Sequence, residues 1–245
     1  MTLRDARRAA SRLAALLLFL VAAPAFAEPF ADSMAQRLLA CTGCHGPEGR
    51  AAADGYYPRI AGKPAGYLFN QLLNFRDGRR AYALMTNLLA PLDDAYLREI
   101  AAHFAGLDLP YPPPAPPALS PADLAAAARL VAEGDPARNL PACSACHGKE
   151  MTGTAPFVPG LVGLPRDYLN AQLGAWRNGK RVAQEPDCMA AVAKKLDGAE
   201  IVRISTWLAA QPVPAGAKPA AGFASPMPLD CGGVPRSAAG GTPSR

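Results

Sequence analysis

Apolar side chains recur at the spacing of a helix in several segments of the chain. In the clearest of them, Leu68, Leu72 and Phe75 fall on one face, and Gly78 offers a natural stop. Three further segments of this kind each follow a residue whose side chain can accept the first backbone N–H groups of a helix: Asp93, Ser120 and Asp197. The alternation of apolar and polar residues that is typical of half-buried strands is absent. The pattern therefore predicts an all-α protein.

The first residues differ in composition from the rest. Residues 1–12 carry four arginines, and the apolar run that follows them is too short to span a bilayer. The run ends in Ala25-Phe26-Ala27, a small-x-small cleavage pattern. Residues 1–27 are therefore predicted to be a cleaved signal peptide that directs the chain to the periplasm. An uncleaved membrane anchor is the alternative, which the length of the run disfavours.

The remainder of the chain contains an internal repeat. One copy starts at Cys41 and the other at Cys143, and one alignment brings their glycines, prolines, aromatic residues and glutamines together. The paired positions include Gly62 with Gly163, Pro64 with Pro165, Tyr67 with Tyr168, Gln71 with Gln172, Phe75 with Trp176 and Gly78 with Gly179. Two long copies indicate duplicated domains rather than a solenoid, which needs shorter and more numerous units.

Composition separates the two copies from each other and from the end of the chain. Residues 107–121 are rich in proline, which favours an extended, semi-rigid spacer. Beyond Gln211 the chain turns to proline, glycine and alanine. We therefore expect a first domain over residues 28–106, a second over residues 122–211, and a tail over residues 212–245 that has no core of its own.

Each copy begins with the pattern C-x-x-C-H, the attachment signature of c-type haem. On a helical turn, residues i, i+3 and i+4 share a face, so two thiols can bond to the haem vinyl groups while the adjacent imidazole binds the iron. The candidate thiols are Cys41, Cys44, Cys143 and Cys146, and the candidate imidazoles are His45 and His147. The sequence thus predicts two covalently bound haem c groups. In domains of roughly 80 residues, each haem would complete an apolar core that is otherwise marginal.

Two other uses of the paired cysteines fit the sequence less well than haem attachment does. A zinc site made from both pairs would place them closer in sequence than Cys44 and Cys143, and a thioredoxin-like pair needs a βαβ context.

The net charge does not favour nucleic-acid binding. The formal charge of +5 includes +3 from residues 1–27, where four arginines outnumber one aspartate, so the remainder carries only +2. That is no basic footprint for a nucleic acid.

The second axial ligand of each iron follows from the register of the repeat. When Met85 is aligned with Met189, the helices that follow them align with the same offset. Met34 precedes its motif, and Met151 lies four residues past His147, too close to cross the haem ring. We therefore predict that Met85 and Met189 complete His/Met ligation, which suits electron transfer. The alternative is that both methionines are only core filler.

Two of the six cysteines remain, Cys188 and Cys231. In the register, Cys188 falls opposite Leu84, an ordinary apolar position. Because the predicted compartment is oxidising, we expect a disulfide between the two cysteines, which would fasten the tail beside the axial-ligand loop. The alternative is that Cys188, rather than Met189, binds the second iron, as in an enzyme that acts on sulfur compounds.

Several polar residues near the helices are further candidates. Basic residues follow the helix-ending glycines and would either neutralise haem propionates or form a solvated turn: Arg79, Arg80, Lys180 and Arg181. Gln71 and Gln172 sit among apolar neighbours and would need hydrogen-bond partners if buried. His103 aligns with Trp207, so its ring is expected to pack between helices rather than bind iron.

These motifs resemble the cytochrome c4 family, diheme class I cytochromes c of bacterial electron-transfer chains. The similar segments include CTGCHGPEG, YLFNQLLNFRDGRR, NLPACSACHG and YLNAQLGAWRNGKR. The resemblance implies two class I folds that face each other, with haem edges near the interface and His/Met-ligated irons. It also implies that the carbonyls of Pro58 and Pro159 accept the Nδ1–H bonds of the ligand histidines. The loop GKEMTG, the proline-rich linker and the tail that carries Cys231 depart from the family pattern.

The resemblance further implies an electron carrier and not an enzyme. Its partners would be a quinol-oxidising complex on one side and a terminal oxidase or other reductase on the other, and association with the membrane surface would be peripheral. One alternative is a haem subunit docked to a periplasmic dehydrogenase. A less favoured alternative is a diheme sulfur-compound oxidoreductase that uses Cys188 as a haem ligand.

Overall fold

The computed structural model describes residues 32–52, 55–114 and 116–235. The predicted signal peptide, residues 1–27, lies outside the described residues. From Met34 onward the described residues belong to one compact unit. No helix within these ranges is long and apolar enough to cross a membrane.

Helices form most of the first repeat. Its helices among the described residues are α1 (Met34–Arg37), α2 (Leu39–His45), α3 (Ala65–Arg76), α4 (Ala83–Leu89) and α5 (Asp94–Gly106). A 3-10 turn, Pro47–Gly49, follows α2. The side chain of Asp93 accepts the backbone N–H of Tyr96 over 2.8 Å, so it caps α5 as the sequence predicts.

The second repeat follows the same order. Its helices are α6 (Pro121–Glu133), α7 (Ser144–His147), α8 (Arg166–Arg177), α9 (Cys188–Ala193) and α10 (Gly198–Ala209), with a 3-10 turn at Pro136–Arg138. Ser120 caps α6, and Asp197 forms a capping box with Glu200 at the start of α10. Pro121, the last residue of the predicted proline-rich linker, forms the first position of α6, where its fixed backbone angle suits the first turn of a helix.

The all-α prediction is confirmed apart from one short hairpin. Strands β1 (Gly153–Thr154) and β2 (Val158–Pro159) pair antiparallel between α7 and α8. Two residues per strand are too few to show the alternating pattern that predicts strands. The hairpin carries Pro159 back toward α7, where Thr154 donates its hydroxyl to the carbonyl of Cys146 over 2.9 Å.

Each repeat has its own hydrophobic core. In the first repeat α3 packs on α5 around Leu38, Leu97 and Phe104. In the second repeat α10 packs on α6 and α8 around Val131, Leu208 and other buried aliphatic side chains. Full burial of each such side chain stabilises the fold by roughly 1.5–3 kcal/mol. Equivalent helices therefore form equivalent cores, as the repeat predicts.

The two repeats also pack against each other. Arg80 and Arg181, which are equivalent in the repeat, form an isolated antiparallel β-bridge. Because each copy contributes the same position, the two copies are related at this contact as if by a twofold axis. Phe157 of the second repeat lies against Gly66 of the first, where a Cβ would approach the ring to 2.5 Å. Only glycine fits at that position, and the backbone N–H of Tyr67 donates to the carbonyl of Pro156 beside it over 3.0 Å.

The linker and the tail are both held by the body of the protein. Arg59, which is buried, donates to the carbonyl of Pro110 over 3.0 Å, and its guanidinium lies 3.9 Å from the centre of the Tyr111 ring. In the tail, Ala220 exchanges backbone hydrogen bonds with Gly153 and Ala155 over 2.9 and 2.8 Å. Neither segment needs a core of its own to be ordered.

Candidate functional site

The two motif histidines are oriented alike. His45 ends α2 and His147 ends α7, and both rings are buried. Each Nδ1 lies 2.8 Å from a proline carbonyl, that of Pro58 for His45 and that of Pro159 for His147. Since a carbonyl only accepts, Nδ1 carries the proton and Nε2 keeps its lone pair. Burial lowers the pKa of both rings, which favours this neutral, metal-binding form.

The four motif cysteines are free thiols in the polypeptide. Burial raises the pKa of the Cys41 and Cys146 thiols, and it raises the pKa of the Cys143 thiol to about 11. These thiols are therefore protonated at neutral pH, unlike the thiolates that ligate a metal. Among the described residues, no group of three or more His, Cys, Asp and Glu side chains could hold a metal ion.

One continuous cavity of about 980 Å³ reaches both motifs. Its lining includes the four motif cysteines, both motif histidines and many apolar side chains from both cores. Met85 on α4 and Met189 on α9 also line it, so the structure brings together every residue that the sequence predicts for the two haem sites. One more methionine, which the sequence analysis did not consider, lines the cavity too: Met227, in the tail.

The other two methionines of the sequence analysis lie elsewhere. Met151 is 3% exposed in the core of the second repeat, and Met34 packs against the core of the first. Neither lines the cavity. His103 is half-buried, does not line the cavity, and lies edge-to-face on Phe104 of the same helix, with ring centres 5.3 Å apart.

The loop that carries Met189 is fastened on both sides. Asp187 caps α9 by accepting the backbone N–H of Ala190 over 3.0 Å, and its other oxygen accepts the N–H of Ala183 over 2.7 Å. The next residue, Cys188, forms a disulfide with Cys231, with Cα atoms 5.2 Å apart. Because its sulfur is bonded, Cys188 offers no thiolate, and this favours Met189 over Cys188 as a ligand.

A cationic cluster lies where the repeats meet. Arg80 donates to Gln71 in its own repeat over 3.1 Å and to Gln172 in the other over 2.7 Å. Arg181 donates to both glutamines over 2.7 Å. Each glutamine oxygen therefore accepts from both guanidiniums, which supplies the partners that the sequence could not identify. Arg181 is 4% exposed, and its guanidinium lies 3.6 Å from the centre of the Trp176 ring.

This cluster is short of negative charge. Among the described residues, Arg181 contacts amide oxygens and aromatic rings and no carboxylate. Burial, followed by the charge of Arg80, lowers the pKa of Arg181 to about 10. Burying the charge of Arg181 beside the half-buried charge of Arg80 is costly unless an anion pairs with them. Both arginines line the cavity, so a ligand with acidic groups fits there. Arg79 instead pairs with Asp77 and Asn74, and Lys180 is exposed.

These features fit two haem groups. The cavity supplies an apolar enclosure, each motif supplies two free thiols and a neutral imidazole with an available lone pair, and the arginine cluster suits propionates. No other prosthetic group matches a covalent C-x-x-C-H site of this kind.

Comparison with known proteins gives the same result. No protein-family model matches the chain. It is 37% identical over 175 residues to the thiosulfate dehydrogenase electron acceptor of Thiomonas intermedia, covering 71% of this chain and 79% of that protein. It is 33% identical over 171 residues to cytochrome c4 of Pseudomonas aeruginosa, covering 69% of this chain and 82% of that protein.

Solved structures are also similar to this fold. Reduced recombinant cytochrome c4 from Pseudomonas stutzeri superposes with a TM-score of 0.62 at 28% identity, covering 72% of this chain and 95% of that one. The thiosulfate dehydrogenase TsdBA from Marichromatium purpuratum superposes with a TM-score of 0.62 at 35% identity. In that case 70% of this chain matches only 36% of the larger one. This chain therefore belongs to the cytochrome c4 family, and it is an electron carrier, not an enzyme, with two covalently bound haem c groups.

Proposed function

We propose that this protein accepts electrons from a thiosulfate-oxidising dehydrogenase in the periplasm and passes them on to a further redox protein. The observation that carries the proposal is the single cavity reached by both motifs and by both register-equivalent methionines. The similarity to proteins named as thiosulfate dehydrogenase electron acceptors supports the choice of donor.

The proposed attachment uses the residues that line the cavity. Cys41 and Cys44 would hold the first haem by thioether bonds, with His45 and Met85 as axial ligands to its iron. The second haem would be held in the same way by the register-equivalent residues: Cys143, Cys146, His147 and Met189. When bound, each haem supplies a one-electron Fe(III)/Fe(II) couple, so the loaded chain takes up two electrons without any bond being formed or broken.

The protein contributes fixed geometry and charge. The Pro58 and Pro159 carbonyls orient the imidazoles and raise their basicity as ligands. The guanidiniums of Arg181, which is buried, and Arg80, which is half-buried, favour the reduced, more negative state of a nearby redox centre. Since both lie between the repeats, their charge would act on both haem sites.

A broader alternative keeps the same sites and changes the partners. In that case a quinol-oxidising complex is the donor and a terminal oxidase the acceptor, as the sequence resemblance alone implies. Similarity to proteins named cytochrome c4 supports this alternative. Both versions place the protein in the periplasm, either free or peripherally associated with the membrane. A third version, a subunit docked permanently to its dehydrogenase, differs from the first only in how long the two proteins stay together.

Reduction kinetics separate these partners. Oxidised holo-protein is mixed in a stopped-flow instrument with purified thiosulfate dehydrogenase plus thiosulfate, and separately with a quinol-oxidising complex plus quinol. The proposal predicts that the dehydrogenase reduces both haems at least tenfold faster than the complex does at equal concentration, and only when thiosulfate is present. Faster reduction by the quinol-oxidising complex contradicts the choice of donor. Co-purification at low concentration distinguishes a docked subunit from a free carrier.

A further inference from the structure

The surfaces beside the two methionines differ, although the helices that carry them are equivalent. On α4, Leu84 and Leu88 flank Met85 and are 61% and 37% exposed. Their register partners on α9 are Cys188 and Val192, and both are half-buried. The repeat therefore presents an open apolar face in its first copy and a covered one in its second.

The cover over the second copy is the protein's own tail. Cys231 is 6% exposed and bonded to Cys188, and the backbone N–H of Gly232 donates to the carbonyl of Pro186 over 2.9 Å. Gly233 then accepts a hydrogen bond from the Asn70 side chain of the first repeat over 2.8 Å. Met227 and Leu229, just before the disulfide, line the haem cavity. The described part of the tail thus lies across the methionine side of the second copy and reaches the first at Gly233.

The open face of the first copy continues into aromatic residues. Tyr56 is 61% exposed, and its ring lies 6.3 Å from that of Tyr82, the residue that precedes α4. Tyr56, Leu84 and Leu88 all line the haem cavity, so this surface reaches from solvent to the predicted site. In the second copy, the residue equivalent to Tyr56 is Phe157, which is instead packed against Gly66 between the repeats.

We infer that the face formed by Tyr56, Leu84 and Leu88, the open face, is the surface on which the electron-donating protein docks, and that the tail closes the equivalent face of the second copy to docking. This inference rests on the proposed function, in which a protein donor reduces the chain. In each encounter, the donor is oxidised by one electron and the chain is reduced by one, with no transfer of a proton or an atom.

The chemistry of the open face specifies the partner's surface. Helix α4, ALMTNLL, carries no charged residue, so long-range attraction between charges contributes little at its centre. The tail residues that line the cavity beside the second copy, Met227 and Leu229 among them, are likewise uncharged, and the one charged residue between them and Gly233, Asp230, does not line it. The matching donor is therefore a redox protein that presents a small, uncharged apolar surface around its own redox group. Small interfaces are typical of electron-transfer encounters, which must also dissociate quickly.

Single charge insertions test the inference on the full-length holo-protein. Leu84→Glu and Leu88→Glu each place a carboxylate in the open face. Leu39→Glu is the matched control, because Leu39 is 60% exposed in the same repeat and does not line the cavity. Thiosulfate dehydrogenase plus thiosulfate serves as the donor, and the second-order rate of reduction is measured together with the Kd between the two purified proteins.

The expected result is a loss of at least tenfold in both rate and affinity for Leu84→Glu and Leu88→Glu, against less than twofold for Leu39→Glu. The haem content per chain should be the same in all variants, which shows that haem loading and folding are intact. The Kd measures docking separately from any change that the new carboxylates cause in the midpoint potentials, because Leu84 and Leu88 line the cavity. If Leu84→Glu and Leu39→Glu behave alike, the inference is wrong. It is also wrong if Leu84→Glu converts a dimer to a monomer in sedimentation, because the occupant is then a second copy of the chain.

Failure of the proposed donor gives a different pattern. If the wild-type protein is not reduced by the dehydrogenase, the quinol-oxidising complex replaces it as donor with the same three variants. A tenfold loss for Leu84→Glu relative to Leu39→Glu then supports the open face although the donor was misassigned. Equal rates contradict the open face with either donor.

Discussion

Arg181 of the second repeat donates a hydrogen bond to the Gln71 side chain of the first over 2.7 Å, and Arg80 makes the reciprocal bond to Gln172 over 2.7 Å. The two guanidiniums join the repeats and place positive charge at the wall of the cavity, with no carboxylate beside Arg181 among the described residues. The same contact thus has a structural role and an electrostatic role, and these can be tested separately.

Replacing Arg181 by glutamine is expected to lower the midpoint potential of at least one haem. A nearby positive charge stabilises the reduced haem, which is the more negative state. Removing that charge therefore stabilises the oxidised haem relative to the reduced one and lowers the midpoint potential. An interaction of about 1 kcal/mol corresponds to roughly 40 mV for a one-electron couple, and a shift on that order is expected. Potentiometric titration of the holo-protein measures it. Arg177→Gln removes an exposed charge at the end of α8 and should leave the potentials nearly unchanged. Equal shifts in the two variants would contradict the electrostatic role.

Lys63 is expected to make stability depend on pH. It is 5% exposed, and its ammonium donates to the carbonyl of Gly160 over 3.1 Å. Burial, followed by the charge of Arg59, lowers the pKa of Lys63 to about 7. The unfolded chain, with a lysine pKa near ~10.4, then holds more protons between pH ~7 and ~10. The free energy of unfolding should therefore rise with pH across that window and level off below it.

Lys63→Met removes this dependence. The variant should be more stable than the wild type at pH 6 by roughly 2–4 kcal/mol, less the lost hydrogen bond, and the difference should shrink toward pH 10. Its register partner, Leu164, is already apolar and buried, so an uncharged side chain suits the equivalent position. Denaturant unfolding of the holo-protein at several pH values measures the effect, with Lys194→Met as the exposed control. A difference that does not change with pH would show that Lys63 is charged in the folded protein throughout.

Local features of this fold could be predicted from the sequence because they depend on neighbouring residues. The caps at Asp93, Ser120 and Asp197 need only a side chain two or three residues from the amide it accepts. The repeat relates each local prediction to a second position, and the prediction of Met85 and Met189 as axial ligands rests on their common register. The same register left Cys188 unmatched, and the structure pairs it with the other leftover cysteine.

Contacts between the repeats could not be predicted in this way. No periodic pattern in the sequence predicts the arginine–glutamine cluster or the contact of Phe157 with Gly66. Both depend on how the two folded repeats are oriented. The tail posed the same difficulty: its composition predicts the absence of a core, and it gives no sign that Met227 reaches the cavity. The hairpin β1–β2 was missed because two residues per strand are too short to form a pattern.

Removing the disulfide is expected to destabilise the protein and loosen the tail. The bond closes a loop with a sequence separation of 43 residues. The double variant Cys188→Ser/Cys231→Ser should lose roughly 2–4 kcal/mol of unfolding free energy, chiefly because the unfolded chain gains freedom. Proteolysis within residues 221–235 should become faster. Cys231→Ser alone should expose one reactive thiol per chain, and the absence of that thiol would show that Cys188 is bonded elsewhere.

The axial methionines carry the central claim, that both irons have His/Met ligation. Met85→His and Met189→His should each convert one iron to His/His ligation and lower its potential. Met151→Leu is the matched control, since Met151 is buried in the core and does not line the cavity. Met227→Leu tests the remaining methionine of the cavity, and the register predicts that it changes neither iron.

The most direct measurement is the far-red charge-transfer band of the oxidised holo-protein, which reports Met–Fe(III) ligation, scaled to a pyridine haemochrome count of haem per chain. The account predicts two haems per chain and a band intensity that corresponds to two methionine-ligated irons. It further predicts that Met85→His or Met189→His halves this intensity and that Met227→Leu leaves it unchanged. A wild-type band that accounts for only one haem, or a band halved by Met227→Leu, would contradict it.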